Sequence, residues 1–232
     1  MDSRSVCKRV FWHPTSIKLA LFDWLSVMFA DIVITDTDAH KRYWSSWWFV
    51  NSKKIRTVYL GVNDKLFYPM PPVSRDRVLV QFHGSFIPLH GTVKIVEAAR
   101  LCANDERVRF RLIGSGRDLP KAQRLAREYG LKNIEFMNDV PLRELNAKIS
   151  EADIVLGIFG DTAKAKRVIP NKVYEGMAAK KPVITMNTLS IREIFSENDM
   201  LLVTNDPDSI AEGIRTLVHD ENKRAKFAEN GY

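Results

Sequence analysis

The segment 170–185, Pro-Asn-Lys-Val-Tyr-Glu-Gly-Met-Ala-Ala-Lys-Lys-Pro-Val-Ile-Thr, carries a cation and an anion three residues apart on what its spacing predicts to be a short helix running into a buried strand. Residues i and i+3 share a helix face, so Lys172 and Glu175 project together, while Val173 and Met177 form the apolar stripe that packs on a sheet. Pro170 suits the first turn, where its missing N–H costs nothing. A lysine in that turn works against the macrodipole, which places roughly half a positive charge there and favours an anion. Two readings are open: a solvated ion pair worth a few tenths of a kcal/mol, or a binding site whose negative partner is a ligand.

The elements that must hold this helix alternate with regularity from about residue 75. Predicted strands at 78–82, 108–113, 134–136, 153–159, 182–185 and 201–203 are separated by helices at 91–102, 119–129, 142–150, the short one opening at Pro170, and 191–195, with a last one opening at Asp206-Pro207. Strands of four to seven residues joined by helices imply right-handed crossovers, hence an α/β fold with a doubly wound, Rossmann-like parallel sheet. Ligands bind such sheets at the carboxyl ends of the strands. The glycines gather there: Gly84 after the first strand, Gly114 and Gly116 after the second, Gly157 and Gly160 around the end of the fourth.

Residues 1–70 read differently, with a helix at 16–29, a strand at 31–35, a helix at 38–48 and a strand at 55–59 before the proline-rich stretch 69–72. Two such units are too few for an independent doubly wound domain. All five tryptophans (Trp12, Trp24, Trp44, Trp47, Trp48) lie here, interleaved with Lys8, Arg9, Lys18, Lys41 and Arg42. They are either the core of a small unit or a surface for lipid headgroups or another protein. Asp36-Thr37-Asp38 has the letters of a metal-binding Asp-x-Asp, but its place between a strand and a helix makes it a helix cap.

Composition bounds the rest. A net charge of +7 and an isoelectric point near 9.4 favour anionic partners. Cys7 and Cys102, the only cysteines, have no metal-ligand spacing and fit a reducing cytosol. The N-terminus lacks a signal-peptide pattern, and the apolar stretch 19–34 is interrupted by Asp23 and Asp31 and too short to span a bilayer. Neither glycine turn completes Gly-x-Gly-x-x-Gly with its acidic partner, which argues against a Rossmann oxidoreductase. No stacking-aromatic motif supports nucleic-acid binding.

Taken in order, Tyr59-Leu-Gly-Val-Asn63 with Phe67 and Pro69, Phe82-His-Gly-Ser-Phe-Ile-Pro-Leu-His-Gly91, Arg111-Leu-Ile-Gly-Ser-Gly116, Leu131-Lys-Asn-Ile-Glu-Phe136, Glu144-Leu145, Ala152-Asp153 and the 170–185 segment give a chain that resembles the family 4 retaining glycosyltransferases of the GT-B fold. The resemblance implies that residues 71–232 are the C-terminal, nucleotide-sugar-binding domain and that residues 1–70 are the end of the N-terminal, acceptor-side domain. It implies metal-independent transfer of a sugar from a nucleoside diphosphate sugar with retention, in polysaccharide or glycoconjugate synthesis. No cofactor beyond the donor substrate is called for. The implied setting is cytoplasmic, with peripheral contact at the inner membrane face, and with self-association or a partner supplying the rest of the acceptor domain. The alternative is a non-catalytic nucleotide-binding or scaffolding remnant, because the catalytic histidine of relatives has no position here.

Carried over residue by residue, Glu175 matches the second acid of the family's Glu-x7-Glu pattern and accepts from the ribose hydroxyls, a task two carboxylate oxygens suit. Arg167 stands where the first acid belongs, and Asn171 and Val173 flank Lys172 in the donor helix. Ser85 and His90 replace the arginine and lysine that many members present to the diphosphate. A charge on His90 is conditional at neutral pH, given its reference pKa near 6.5. The backbone N–H groups of Gly84, Gly91 and the helix start at Pro170 then hold phosphate, with Arg167 or Lys172 as fixed charge. Gly114, Gly116, Met137 and Asn138 are placed near the base, and Glu193 closes its own short helix.

Overall fold

The computed structural model describes residues 14–232 except Pro72 and Ser74, so Trp12, Lys8, Arg9 and Cys7 lie outside the described residues. The chain divides into two compact units. One comprises the chain up to Leu60 with Thr162–Ile169 and Thr188–Glu193; the other comprises Gly61–Asp161, Pro170–Asn187 and Ile194–Tyr232.

The first unit contains helix α1 (Pro14–Phe29), strand β1 (Val33–Thr35), helix α2 (Asp38–Ser45) and strand β2 (Ile55–Thr57). The two strands pair in parallel with Val33 opposite Ile55. Thr37 caps α2 by accepting from the His40 N–H at 3.0 Å. Its neighbours are engaged as well: the Asp36 carboxylate meets His40 Nδ1 at 2.8 Å, and Asp38 accepts from the Thr57 hydroxyl. The Asp-x-Asp letters thus serve the start of a helix. Glu193 does the same from a distant part of the chain, accepting from the N–H groups of Asp38 and Ala39 at 2.7 Å each. Glu193 also ends its own short helix, as expected, a single 3-10 turn over Ile191–Glu193; its service to α2 is additional.

Helix α2 stops three residues short of the predicted 48. Ser46 folds back there, its N–H on the Arg42 carbonyl and its hydroxyl on that of Tyr43. The tryptophans divide: Trp47 is buried, Trp24 and Trp44 are half-buried, and Trp48 is exposed. No helix among the described residues is long and apolar enough to cross a membrane.

In the second unit, strands β3 (Val78–His83), β4 (Val108–Ile113), β5 (Ile134–Met137), β6 (Ile154–Leu156), β7 (Val183–Met186) and β8 (Leu201–Val203) form one sheet with spatial order β5-β4-β3-β6-β7-β8. All its pairs are parallel. Helices α3 (Thr92–Leu101), α4 (Leu119–Glu128), α5 (Leu142–Glu151), α6 (Asn171–Ala178), α7 (Pro207–His219) and α8 (Glu221–Gly231) accompany it. The near-complete burial of β3, β4 and β6, with Arg109 the one exposed residue among them, follows from cover on both sheet faces. Phe82, Phe110, Leu112, Ile154, Leu156 and Ile184 are each at most 1% exposed, and burying such side chains is worth about 1.5–3 kcal/mol each.

Arg111, inside β4, is 4% exposed. It donates to Gln81 Oε1 at 2.9 and 2.6 Å, to the Lys148 carbonyl at 2.7 Å and to Glu151, tying β4 to β3 and α5. Cys102 is buried, and burial pushes its thiol up to about 11, so it stays protonated.

The strand order has one functional consequence. Counting from the first strand of this unit, the sheet grows outward from β3 in one direction and then, beginning at β6, in the other. The reversal opens a crevice above the carboxyl ends of β3 and β6, where open α/β sheets bind ligands.

Candidate functional site

Two helices begin at this crevice. The turn leaving β3 leads to α3, whose N-cap is Gly91, and the chain leaving β6 leads to α6, whose N-cap is Pro170; neither cap residue offers a side-chain hydrogen bond. The first-turn N–H groups of both helices lack a side-chain cap, and each helix carries a partial positive charge at that end.

The glycine turns bring the pieces close. Gly114 has φ +140°, and a Cβ there would lie 2.1 Å from the Gly84 carbonyl oxygen, so the turn after β4 presses directly on the turn after β3. Gly84 itself has φ +125°, and a Cβ on it would stand 3.4 Å from both Cε and Nζ of Lys172. A side chain at 84 would stand against the lysine head; glycine adds no atom there.

Lys172 is the unusual group. It is only 5% exposed. Its ammonium lies 3.5 Å from His90 Nε2 and 5.1 Å from the Phe82 ring centroid. Among the described residues no carboxylate comes within ion-pair distance of it. Burial lowers its pKa to about 8, although the Glu175 charge pulls the other way. A buried ammonium with an imidazole and an aromatic face for company, and no carboxylate of the described residues in ion-pair contact, is incomplete by the ordinary rule that buried charges are paired. The solvated Lys172–Glu175 ion pair that the sequence left open does not form.

Glu175 is held by His83 instead. The imidazole Nε2 and the carboxylate Oε2 are 2.9 Å apart, with the two side chains 4% and 16% exposed. Burial is the chief cause of a lowered His83 pKa, with the Lys172 charge acting in the same direction and Glu175 against it. His83 Nδ1 is buried without a hydrogen-bond partner among the described residues.

His90 differs from its expected role. Its Nδ1 bonds the Ser85 carbonyl, which leaves Nε2 as the acceptor facing the Lys172 ammonium. Burial and then the neighbouring Lys172 charge lower its pKa to about 3, so His90 is a neutral imidazole. It orients a lysine and is no imidazolium for phosphate.

Other expected residues fall as follows. The Gly84 N–H is taken by the Ile113 carbonyl at 2.9 Å, so it is not available to a phosphate as expected. Val173 is fully buried and its N–H bonds the Pro170 carbonyl at 2.9 Å; it packs the helix on the sheet and offers a ligand nothing. Ser85, Gly116, Asn138 and Asn171 are exposed, and Gly91 and Met137 are half-buried. The Met137 carbonyl accepts from Gly114 N–H at 3.0 Å, which joins the ends of β4 and β5. Arg167 belongs to the first unit, where its guanidinium lies 3.8 Å from the Tyr43 ring centroid. His83 escaped the sequence reading. The one signal for it was a polar residue ending an apolar strand immediately before a glycine.

The family model for glycosyl transferases group 1 matches residues 71–232. An uncharacterized glycosyltransferase of Methanocaldococcus jannaschii is 26% identical over 183 residues, which cover 75% of this chain and 46% of that protein. Two solved structures share the fold. HepE of Anabaena, in complex with UDP and glucose, gives a TM-score of 0.77 at 18% identity, over 95% of this chain and 62% of that one. Sucrose-phosphate synthase of Thermosynechococcus elongatus gives 0.79 at 21% identity, over 94% and 56%. The chain thus spans about half the length of the curated relative and somewhat more of the two solved ones. With the second unit's parallel sheet shared by GT-B structures and the family model matching from Pro71 to the end, this chain belongs to the glycosyl transferases group 1 family.

Proposed function

We propose that the second unit binds the donor of a retaining GT-B glycosyltransferase of family 4, a nucleoside diphosphate sugar whose diphosphate lies against Lys172. The observation that carries this reading is the buried ammonium, out of ion-pair contact with the described carboxylates, at the switch-point crevice against Gly84 and beside two helix N-termini without side-chain caps. Together these groups match a dianionic diphosphate in charge and position.

Each neighbour then has a part. Lys172 supplies the fixed charge that Ser85 and His90 cannot, and in transfer it stabilises the charge that develops on the departing diphosphate, without requiring a metal. His90 holds the ammonium. Glu175 accepts from the ribose hydroxyls, and the turns at Gly114–Gly116 and Met137–Asn138 flank the base. HepE, of the same fold, was solved with UDP and glucose, which makes a uridine diphosphate sugar the first donor to try. We assign the N-terminal segment to the acceptor side of such an enzyme, and the exposed apolar residues Ile17, Leu19 and Phe22 of α1 support a partner or self-association contact for it.

Calorimetric titration of the purified chain with uridine, adenosine and guanosine diphosphates tests the binding half: at least one should bind, and inorganic pyrophosphate should compete. No heat from any of them would reject the reading. The anomeric configuration of product made from a matching nucleotide sugar, read by proton NMR, tests retention.

A further inference from the structure

Glu175 has a carboxylate with two oxygens, and among the described residues only one of them is tied. The tie is to a histidine whose own options are narrow. If the His83 proton sat on Nδ1, that N–H would be a buried donor without an acceptor, and the Nε2 lone pair would face a carboxylate oxygen. A doubly protonated ring would bury a second cation in the neighbourhood of Lys172. Only the neutral tautomer with the proton on Nε2 satisfies the geometry, donating to Glu175 Oε2 across 2.9 Å.

His83 is also well placed for the task. It is the last residue of β3, fixed in the sheet opposite Ile113, and its neighbour Gly84 opens the crevice. A carboxylate on the second turn of α6 has several rotamers, and a donor fixed on a central strand selects one of them. Among the described residues Oε1 has no partner, and Oε2 keeps a lone pair.

We propose that His83 is a positioning residue for donor recognition: through Nε2–H it locks Glu175 in the one orientation that presents its carboxylate to a vicinal diol, and so sets discrimination for ribose over deoxyribose. The inference rests on the donor-binding reading above and adds to it the group that makes Glu175 selective. His83 itself touches no substrate.

The test compares wild-type chain, His83→Phe, which keeps a planar ring but loses the donor, and His83→Gln, whose amide nitrogen reaches the place of Nε2. Each is titrated with uridine, adenosine and guanosine diphosphates and their 2′-deoxy counterparts. Hydrogen bonds to a charged acceptor correspond to about tenfold or more in affinity, so the wild type should prefer the ribonucleotide by at least that factor. The preference should fall to about threefold or less in His83→Phe and return in His83→Gln. A merely structural role for His83 would weaken both nucleotides equally, and an unchanged ratio in His83→Phe would overturn the positioning role while leaving donor binding intact. No binding by wild type would overturn the donor reading and the ribose role with it. Long-range 15N–1H correlation of the His83 ring in the wild type provides a readout without ligand and without a variant: a protonated Nε2 supports the lock on Glu175, and a protonated Nδ1 overturns it.

Discussion

Replacing Lys172 by methionine should make the free protein more stable and a poorer nucleotide binder, a combination that only a buried functional charge produces. Methionine keeps the length and the packing against Phe82 and removes the ammonium. The folded-state pKa of about 8 against the ordinary 10.5, at roughly 1.36 kcal/mol per pH unit, puts the cost of holding that charge in the fold at about 3 kcal/mol. Loss of the bond to His90 Nε2 leaves a buried acceptor unpaired and returns about 1–2 kcal/mol of this. The net expectation at pH 7 is a gain of about 1–2 kcal/mol, or a rise in melting temperature of roughly 2–8 °C for a chain of this size.

The sign with pH is distinctive. Below pH 8 the lysine is charged in both folded and unfolded chains, and the full cost is present. Between pH 8 and 10.5 the unfolded chain keeps a proton that the folded one has released, so wild-type stability rises with pH. The advantage of Lys172→Met should therefore shrink as pH rises through this window. Guanidinium denaturation of both proteins at pH 7 and pH 9.5 gives the stability difference, and calorimetry at pH 7 gives the affinity. Affinity for a nucleoside diphosphate should drop about 10- to 150-fold, the range of a charge-assisted hydrogen bond of about 1.5–3 kcal/mol. A variant that is less stable than wild type, yet binds nucleotide equally well, would show that Lys172 is a structural cation and refute the reasoning.

Glu175→Ala should weaken nucleoside diphosphate binding about 10- to 150-fold and lower stability by about 1–3 kcal/mol, because the buried His83 donor loses its acceptor; calorimetry and denaturation measure the two effects. Affinity for a nucleotide sugar, whose diphosphate has no proton to lose near neutrality, should stay level from pH 6 to 7.5 and fall above pH 8 as Lys172 deprotonates. A step near pH 6.5 would instead mean that His90 titrates in the site. Arg111→Met should destabilise the second unit by about 3 kcal/mol, since Gln81, the Lys148 carbonyl and Glu151 lose their common donor; thermal melting checks it. Gly114→Ala combines a left-handed φ with a Cβ 2.1 Å from the Gly84 oxygen, and should cost on the order of 3 kcal/mol or more and disturb nucleotide binding with it.

Much of the second unit was legible because its signals are local. Apolar runs of strand length, helical periodicity and glycines at strand ends all lie within a dozen residues of one another, and they led to the sheet and to the edge that carries the candidate site. Its central features depend on partners far along the chain. Lys172 is buried by Phe82 and Gly84, about ninety residues earlier, and nothing around position 172 announces that. The neutrality of His90 follows from its burial and from that same lysine, so its reference pKa was a poor guide. His83 ends an apolar strand and reads as core until Glu175 is found opposite its ring. Glu193 shows the same limit in the first unit, where its carboxylate serves a helix that begins at Asp38, and the Thr162–Ile169 and Thr188–Glu193 loops join that unit through contacts with no sequence periodicity. The reverse holds for Asp36-Thr37-Asp38, whose capping role is a short-range matter and was readable from its place between strand and helix.

The most direct test of the central claim is a crystal structure of this chain with a bound nucleoside diphosphate. The account requires the diphosphate above the carboxyl ends of β3 and β6, with an oxygen about 3 Å from Lys172 Nζ and the ribose hydroxyls on Glu175. A nucleotide bound elsewhere, or a diphosphate held at this edge with the Lys172 ammonium still buried away from it, would contradict the account.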